Sequence, residues 1–319
     1  MFQRNFINMK IINPNGRYLF INISDISIKL FEDSQFLKKN KVLFYNTETD
    51  KRSIIYLIDK LKIKNIIIET SSINHISEKL TNDLVNSRYR NVKVYDVQDF
   101  YEKVNKRIPL LKFDSNEYFA DNIFSIGMFN NDRIFKRFFD ILLSILLLPI
   151  AIPLILAGCI LIFIDSPGNV FFTQTRSGKN SCRFKIYKLR TMKSIHSGDF
   201  TKENDDRLLK VGKFLRKTKI DELPQIFNVL KGDMSLIGPR PERPEFVEDS
   251  IKENAYFDLR HLVKPGLTGW AQVHLPKATP VDNLKKLEYD LYYIKYYNFK
   301  LDLFILLKTV KVVFTMNSH

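Results

Sequence analysis

Residues 141–164 read Ile141-Leu142-Leu143-Ser144-Ile145-Leu146-Leu147-Leu148-Pro149-Ile150-Ala151-Ile152-Pro153-Leu154-Ile155-Leu156-Ala157-Gly158-Cys159-Ile160-Leu161-Ile162-Phe163-Ile164, 24 residues without a charge. As one helix, rising about 1.5 Å per residue, the stretch would extend roughly 36 Å, enough to cross the hydrocarbon core of a bilayer. Its neighbours argue against a simple crossing. Both flanks are basic, with Lys136-Arg137 before and Arg176 and Lys179 after, whereas a crossing segment biases its lysines and arginines to one side. Pro149 and Pro153 each remove a backbone donor and clash with the preceding turn, so the helix is expected to bend or break within the run. The residues leave two forms open: a single span, and a segment of about 136–164 that enters and leaves by the same face.

Before this run, from Tyr18 to Val97, short apolar stretches alternate with amphipathic ones. Tyr18-Leu19-Phe20-Ile21-Asn22-Ile23, Val42-Leu43-Phe44-Tyr45, Asn65-Ile66-Ile67-Ile68-Glu69 and Val92-Lys93-Val94-Tyr95 have the pattern of buried strands; Ser53 to Lys62 and Ile76 to Ser87 have that of helices. Strand and helix in alternation predict a parallel sheet with crossovers. Such sheets often hold dinucleotides through a glycine-rich first turn, but the only glycine before Gly127 is Gly16, so no G-x-G-x-x-G exists. A structural or regulatory role is expected for this part. Phe100 to Ile134 mixes charges, isolated aromatics and Pro109 and reads as a linker. Two domains follow, 1–130 and 131–319, a division natural for 319 residues.

The chain is 45% apolar, with 26 Phe and 14 Tyr, which excludes global disorder. Its net charge of +15 points to anionic partners without choosing among nucleic acid, lipid headgroups and phosphorylated small molecules. The excess is five before residue 131 and ten after it. A nucleic-acid-binding protein would account for the charge but not for the apolar run, so no nucleic acid is expected as partner. The two cysteines, Cys159 and Cys182, and the five scattered histidines make no disulfide framework or local zinc motif. Met1 to Lys10 lacks the continuous apolar core of a signal peptide, so the first domain is expected to stay in the cytoplasm.

After the apolar run come strand-like Val170-Phe171-Phe172 and Phe184-Lys185-Ile186-Tyr187, then an amphipathic helix predicted over Asp205 to Lys217. Asp221-Glu222-Leu223-Pro224 opens a predicted helix ended by Gly232, with proline tolerated in its first turn. That places both carboxylates at a helix N-terminus, where free amides lower a carboxylate's pKa and attract anions. Taken alone, an Asp-Glu pair there is a helix cap. A carboxylate can also attack phosphorus if the target's charge is neutralised, and Lys188, Arg190, Arg216 and Arg240 are cations of the required kind. Gly238-Pro239-Arg240-Pro241 and Lys264-Pro265-Gly266-Leu267-Thr268-Gly269-Trp270-Ala271-Gln272 supply tight turns able to fix an arginine fork. Leu287 to Phe314, rich in Tyr and Leu, suits either core packing or a helix lying in a membrane interface.

In order along the chain stand Lys136-Arg137-Phe138-Phe139-Asp140, Phe172-Thr173-Gln174-x-Arg176-x-Gly178, Phe184 to Met192, Asp221-Glu222-Leu223-Pro224-Gln225-x-Phe227-Asn228, the Gly-Pro-Arg-Pro run and the Gly-Trp-Ala-Gln run. Together, over about residues 134–316, they resemble the bacterial sugar transferases, the monotopic polyprenyl-phosphate phosphoglycosyl transferases. The resemblance implies a mainly α catalytic domain with a re-entrant membrane helix broken near Pro153, at the cytoplasmic face of the bacterial inner membrane. It also implies catalysis by Asp221 and Glu222, with Mg²⁺ at Asp221. In the implied reaction Asp221 attacks a UDP-sugar, UMP leaves, and polyprenyl phosphate takes the phosphosugar, the first step of exopolysaccharide, capsule, O-antigen or other glycan assembly. Lys188, Arg216 and Arg240 would bind phosphates, joined by Arg176 and Arg190. The alternative is a catalytically idle scaffold with the same fold.

The first domain resembles the Rossmann-like domain of larger members, most clearly at Asp99-Phe100-Tyr101-Glu102-Lys103-Val104-x-x-Arg107-Ile108-Pro109-Leu110. Those members carry membrane spans before it, so the chain looks like a large form with a shortened N-terminal region. His274-Leu275-Pro276-Lys277 departs from the Asn-Gly-Arg common in the family, which leaves the sugar open. Self-association is also left open.

Overall fold

The computed structural model describes residues 17–33, 36–69, 77–110, 130–193, 207–279 and 282–314. The chain divides into two compact units, Met1–Ser115 and Asn116–His319.

In the first unit, strands β1 (Arg17–Ile21), β2 (Lys41–Tyr45), β3 (Asn65–Ile68) and β4 (Lys93–Asp96) form one parallel sheet in the order β2-β1-β3-β4. Helices α1 (Asp25–Asp33), α2 (Phe36–Lys39), α3 (Ile54–Leu61), α4 (Glu78–Tyr89) and α5 (Val97–Asn105) connect and cover it. Alternate residues of β1 serve opposite cores. Leu19 and Ile21 pack with Leu57, Ile58 and Ile66, while Phe20 packs with Phe31, Phe36, Phe100 and Tyr101, as the two-residue period of a strand covered on both faces requires. The predicted parallel sheet is thus present. The start of the expected linker, Phe100 to Asn105, belongs instead to α5, whose buried stripe is Val97, Phe100 and Tyr101; a stripe of three is too short to stand out as periodic. Residues 111–129 of that segment, and Ile76 of the second predicted helix, lie outside the described residues.

Where doubly wound sheets hold a phosphate, between the first strand and its helix, this unit places its own carboxylate. Glu69, 3% exposed, accepts from the Ser24 amide at 2.6 Å, the Ser24 hydroxyl at 3.1 Å and the Ser27 hydroxyl at 2.9 Å.

The second unit is mainly helical. Helix α6 (Asn130–Asp165) is the one described helix long and apolar enough to cross a membrane. Only 22% of its most apolar window is buried, whereas the core helix of a soluble protein would be mostly covered. Ser144, Ala151, Ile155 and Ile162 form its buried face; Ile145, Leu146, Ile150, Leu156, Ile160 and Ile164 are all more than half exposed. The chain is helical through both Pro149 and Pro153 rather than interrupted near Pro153, which leaves the bend that a proline inside a helix produces.

Both ends of α6 are anchored in the unit's polar part. At the start, Lys136 pairs with Asp302 at 2.7 Å, Arg137 donates to the Val229 and Leu230 carbonyls at 2.6 and 2.8 Å, and Asp140 accepts from the Ser235 hydroxyl and Leu236 amide at 3.0 Å each. At the end, Asp165 accepts from the Val211 amide at 3.2 Å and the Ser166 carbonyl accepts from Arg190.

The polar part holds the antiparallel hairpin β5 (Phe171–Ser177) and β6 (Arg183–Leu189), helices α7 (Lys210–Thr218) and α8 (Ile226–Lys231), the short parallel pair β7 (Ser235–Ile237) and β8 (Gly266–Thr268), and helices α9 (Pro244–Glu253), α10 (Trp270–His274), α11 (Asn283–Lys295) and α12 (Phe299–Phe314). The helix predicted from Asp205 starts instead at Lys210. Leu208 bridges to Met192 and Leu209 is extended; Asp205 lies outside the described residues. In the C-terminal stretch, Leu287, Leu291, Tyr293 and Ile294 of α11 are core, as one of the two expectations has it, and Leu303, Phe304, Leu307 and Val310 of α12 are exposed.

Candidate active site

Asp221 and Glu222 do not open an α-helix as predicted. They lie in a 3₁₀ segment, Ile220–Gln225, between α7 and α8. Lys219 ends α7 in the left-handed conformation, φ 60°, and Pro224 occupies the segment with Asp221 and Glu222 ahead of it. The turn tucks both carboxyls inward, leaving Asp221 7% and Glu222 9% exposed.

Asn228, fully buried, sets this segment against β6. Its amide nitrogen donates to the Lys185 carbonyl at 2.7 Å and its oxygen accepts from the Tyr187 amide at 3.1 Å, substituting for a neighbouring strand. Lys188, next along β6, thereby reaches Glu222 with Nζ 2.7 Å from Oε1.

Arg240 closes the other side of Glu222, NH2 to Oε1 at 2.7 Å and NH1 to Oε2 at 3.3 Å, a two-pronged grip. Its turn is built by the two glycine motifs, which the fold turns into one structure. Gly238 donates to the Thr268 carbonyl at 2.9 Å and Gly266 to the Pro239 carbonyl at 2.8 Å. A Cβ on Gly238 would stand 2.4 Å from the Lys264 carbonyl oxygen, and one on Gly266 would stand 2.1 Å from the Gly238 nitrogen. Only glycine permits backbones this close.

The two carboxylates differ electrically. Burial pushes Glu222 up, but the Arg240 guanidinium and Lys188 ammonium outweigh it and hold the group well below the usual carboxylate range. Asp221 is pushed up to about 6, by burial first and the Glu222 charge second, with Lys188, Lys219 and Arg216 pulling the other way. Burial lowers Lys188 and Lys219, opposed by Glu222. Asp221 Oδ1 is buried without a hydrogen-bond partner among the described residues. The pair is therefore one locked carboxylate and one with a free oxygen in a cationic field.

The other expected cations are placed as follows. Arg216 donates from Nε to the Thr191 hydroxyl at 2.9 Å and adds to the field at Asp221. Arg176 donates to Gln174 at 2.8 Å and stands 3.8 Å from Glu242, with Nε buried and unpartnered among the described residues; burial lowers it to about 10, Glu242 opposing. Arg190 is bound at the end of α6 through the Ser166 carbonyl, and no described contact joins it to the carboxylates. Lys219 was absent from the sequence expectation. Its signal was slight: a lysine two residues before Asp221, whose left-handed backbone no local pattern announces.

Among the described residues, no three of His, Cys, Asp and Glu gather as a metal cluster. One carboxylate oxygen without a partner nevertheless fits Mg²⁺, which takes one or two protein carboxylates and completes its shell with water and substrate phosphates. Gly158 of α6 passes the same place. A Cβ there would meet Leu189 at 2.7 Å and Ile220 and Leu215 at 3.7 Å, so the apolar helix runs beside the residue preceding Asp221.

An exposed apolar helix thus runs beside the segment that carries a buried carboxylate pair ringed by cations, an arrangement consistent with membrane association. The bacterial sugar transferase model matches residues 131–316, and the chain belongs to that family. It is 40% identical over 231 residues to the UDP-N-acetylgalactosamine-undecaprenyl-phosphate N-acetylgalactosaminephosphotransferase of Aeromonas hydrophila, covering 70% of this chain and 53% of that protein. It is 39% identical over 186 residues to the UDP-glucose:undecaprenyl-phosphate glucose-1-phosphate transferase of Escherichia coli K12, covering 56% and 40%. The exopolysaccharide production protein PSS of Rhizobium leguminosarum bv. phaseoli is 37% identical over 192 residues, 56% of this chain and 94% of that one. Against the first two, the matched region is about half or less of the relative's length.

Proposed function

We propose that the protein transfers a sugar-1-phosphate from a UDP-sugar to polyprenyl (undecaprenyl) phosphate, with Asp221 as nucleophile. The observation that carries this is the unpartnered, buried Asp221 oxygen beside a Glu222 already held by Lys188 and Arg240. An Asp221 oxygen attacks the sugar-bearing phosphorus; the bond from that phosphorus to the bridging oxygen breaks and UMP leaves. An oxygen of polyprenyl phosphate then attacks the same phosphorus, the bond to Asp221 breaks, and a polyprenyl diphosphate sugar departs. Lys188, Arg240, Arg216, Lys219 and Arg176 spread positive charge over the phosphates, the main protein contribution in phosphoryl transfer. Mg²⁺ bound at Asp221 would neutralise diphosphate charge as the bond breaks.

The membrane segment is assigned as re-entrant. Support comes from Lys136, Arg137 and Asp140 at one end and Asp165 and Ser166 at the other, all bonded into the same polar part. A spanning helix would have to divide that part between two sides of a bilayer. The site then faces the cytoplasm at the inner membrane, where UDP-sugars are. Proximity of α6 to Ile220 gives the polyprenyl phosphate its approach from the lipid. The first unit is assigned as a Rossmann-like domain without a nucleotide, supported by the strand order and by Glu69 filling the phosphate position. The sugar is left to experiment, since relatives of nearly equal identity are named for different sugars.

The test is UMP release by purified protein from a panel of UDP-sugars with Mg²⁺. Wild type is expected to release UMP with at least one sugar and Asp221→Ala with none. No release from any sugar would instead favour an idle scaffold.

A further inference from the structure

Arg240 faces conflicting demands. Its guanidinium grips Glu222 and is 40% exposed, so under the proposed function it must share its N–H groups with an arriving phosphate. A side chain that exchanges partners in each cycle cannot rely on those partners to hold its own backbone. The Arg240 carbonyl accepts from NH2 of Arg260 at 3.0 Å. Arg260 comes from the 3₁₀ segment Ala255–Leu262 and is bound through Nε at 3.1 Å and NH2 at 2.7 Å to Oδ2 of Asp290 on α11. Both side chains are 2% exposed, and the Phe257 ring lies 4.9 Å from the Arg260 guanidinium carbon.

A buried ion pair is poor evidence of added stability, because desolvating two charges offsets most of their attraction. What this pair adds over an apolar contact is a donor of fixed direction, and that donor is spent on the backbone of Arg240. We propose that Arg260, oriented by Asp290, is a positioning residue that fixes Arg240 as the phosphate grip. The glycine ladder of β7 and β8 holds the turn at Gly238 and Pro239 and Arg260 holds it at the Arg240 carbonyl, so the fork keeps its place while Glu222 and substrate phosphate exchange on it. This rests on the functional assignment above.

The double variant Arg260→Met/Asp290→Ala removes both charges together, which a fold tolerates far better than loss of one partner. Two readouts on the full chain in detergent decide the matter. The first is binding of inorganic pyrophosphate, which needs no turnover; the second is the UMP burst from a UDP-sugar. Burst amplitude counts folded sites, while the burst rate constant belongs to those sites alone. The expected result is a wild-type-like melting temperature, weaker pyrophosphate binding approaching that of Arg240→Ala, and a burst rate constant lower on the order of 10- to 100-fold, as for a misplaced catalytic contact.

Pyrophosphate binding and a burst rate constant equal to wild type, with or without reduced amplitude, would overturn the proposal and leave a merely structural ion pair. If wild type binds pyrophosphate through Arg240 but releases no UMP, the transferase assignment fails and the binding arm still decides the positioning role. If wild type neither binds nor releases, both fail. Should the double variant not fold, Arg260→Lys carries the same comparison, since it keeps a positive charge facing Asp290 and removes the planar fork that reaches the Arg240 carbonyl.

Discussion

Glu222→Gln tests whether the locked carboxylate is an electrostatic keystone or only a neighbour of the reactive one. The substitution keeps shape and one acceptor but removes the charge facing Lys188 at 2.7 Å and Arg240 at 2.7 and 3.3 Å, and turns an amide donor toward one of them. Breaking a buried pair by removing one partner costs about 3–5 kcal/mol. Arg240 is 40% exposed and Lys188 16%, so water recovers part of the loss, leaving about 2–3 kcal/mol. For a unit of this size that lowers the melting temperature by about 5–10 °C. Thermal unfolding in detergent, with and without pyrophosphate, is the assay. Because the freed cations then seek an anion, pyrophosphate should raise the melting temperature of the variant more than that of wild type. A variant melting within about 1 °C of wild type, with an equal pyrophosphate effect, would refute the electrostatic account.

Other perturbations address separate joints of the structure. Asn228→Ala leaves the Lys185 carbonyl and Tyr187 amide without their partner, so a loss of about 2–4 kcal/mol is expected in thermal unfolding, with a slower UMP burst as Lys188 drifts from Glu222. Glu69→Ala removes the acceptor of three short bonds and should destabilise the first unit by roughly 1.5–3 kcal/mol, measured by amide exchange in β1 and α1. His274 is held neutral, down to about 4, by burial and by the Lys308 charge; Lys308 donates to Nε2 at 2.8 Å while Nδ1–H donates to the Trp270 carbonyl at 2.9 Å. The unfolded chain then binds more protons than the fold between about pH 4 and 6.5. Stability is therefore full above 6.5 and falls as pH drops toward 4, by about 1–2 kcal/mol after allowing for partial exposure, and denaturant titrations should show His274→Asn flattening that dependence.

What was legible in the sequence was what local pattern carries. The uncharged run 141–164 announced an apolar helix because composition alone sets that. The parallel sheet followed from alternation, and the Asp-Glu pair from its place among ordered cationic motifs. What stayed hidden depended on partners far along the chain. Gly238 and Gly266 each looked like turn residues; that their backbones are packed against one another is set by the β7–β8 pairing. Arg190 stands among the motif cations, yet its bond goes to the end of α6. Lys219 could not be told from Lys217 two residues earlier until the turn after α7 placed it near the carboxylates. The dyad's backbone was expected to be α-helical because Pro224 and Gly232 frame a helix, but the tighter 3₁₀ turn is what brings both acids inward.

A carboxylate that is to attack an anionic diphosphate must satisfy opposed requirements. It needs positive charge nearby, or the substrate will not approach; it must not be clamped by that charge, or its lone pairs are occupied and its basicity is lost. The site divides these demands between adjacent residues. Glu222 absorbs the close contacts of Lys188 and Arg240 and so fixes two cations in place. Asp221 feels Lys188, Lys219 and Arg216 through the field and keeps a free oxygen, with burial holding its pKa near 6. Such a group is ionised in good part at neutral pH and remains more basic than an ordinary aspartate, which favours nucleophilic attack. Exchanging the two residues would invert the division, putting the longer side chain where freedom is needed and the shorter where reach to Lys188 and Arg240 is needed. Under the proposed function, the order Asp then Glu suits this division of roles.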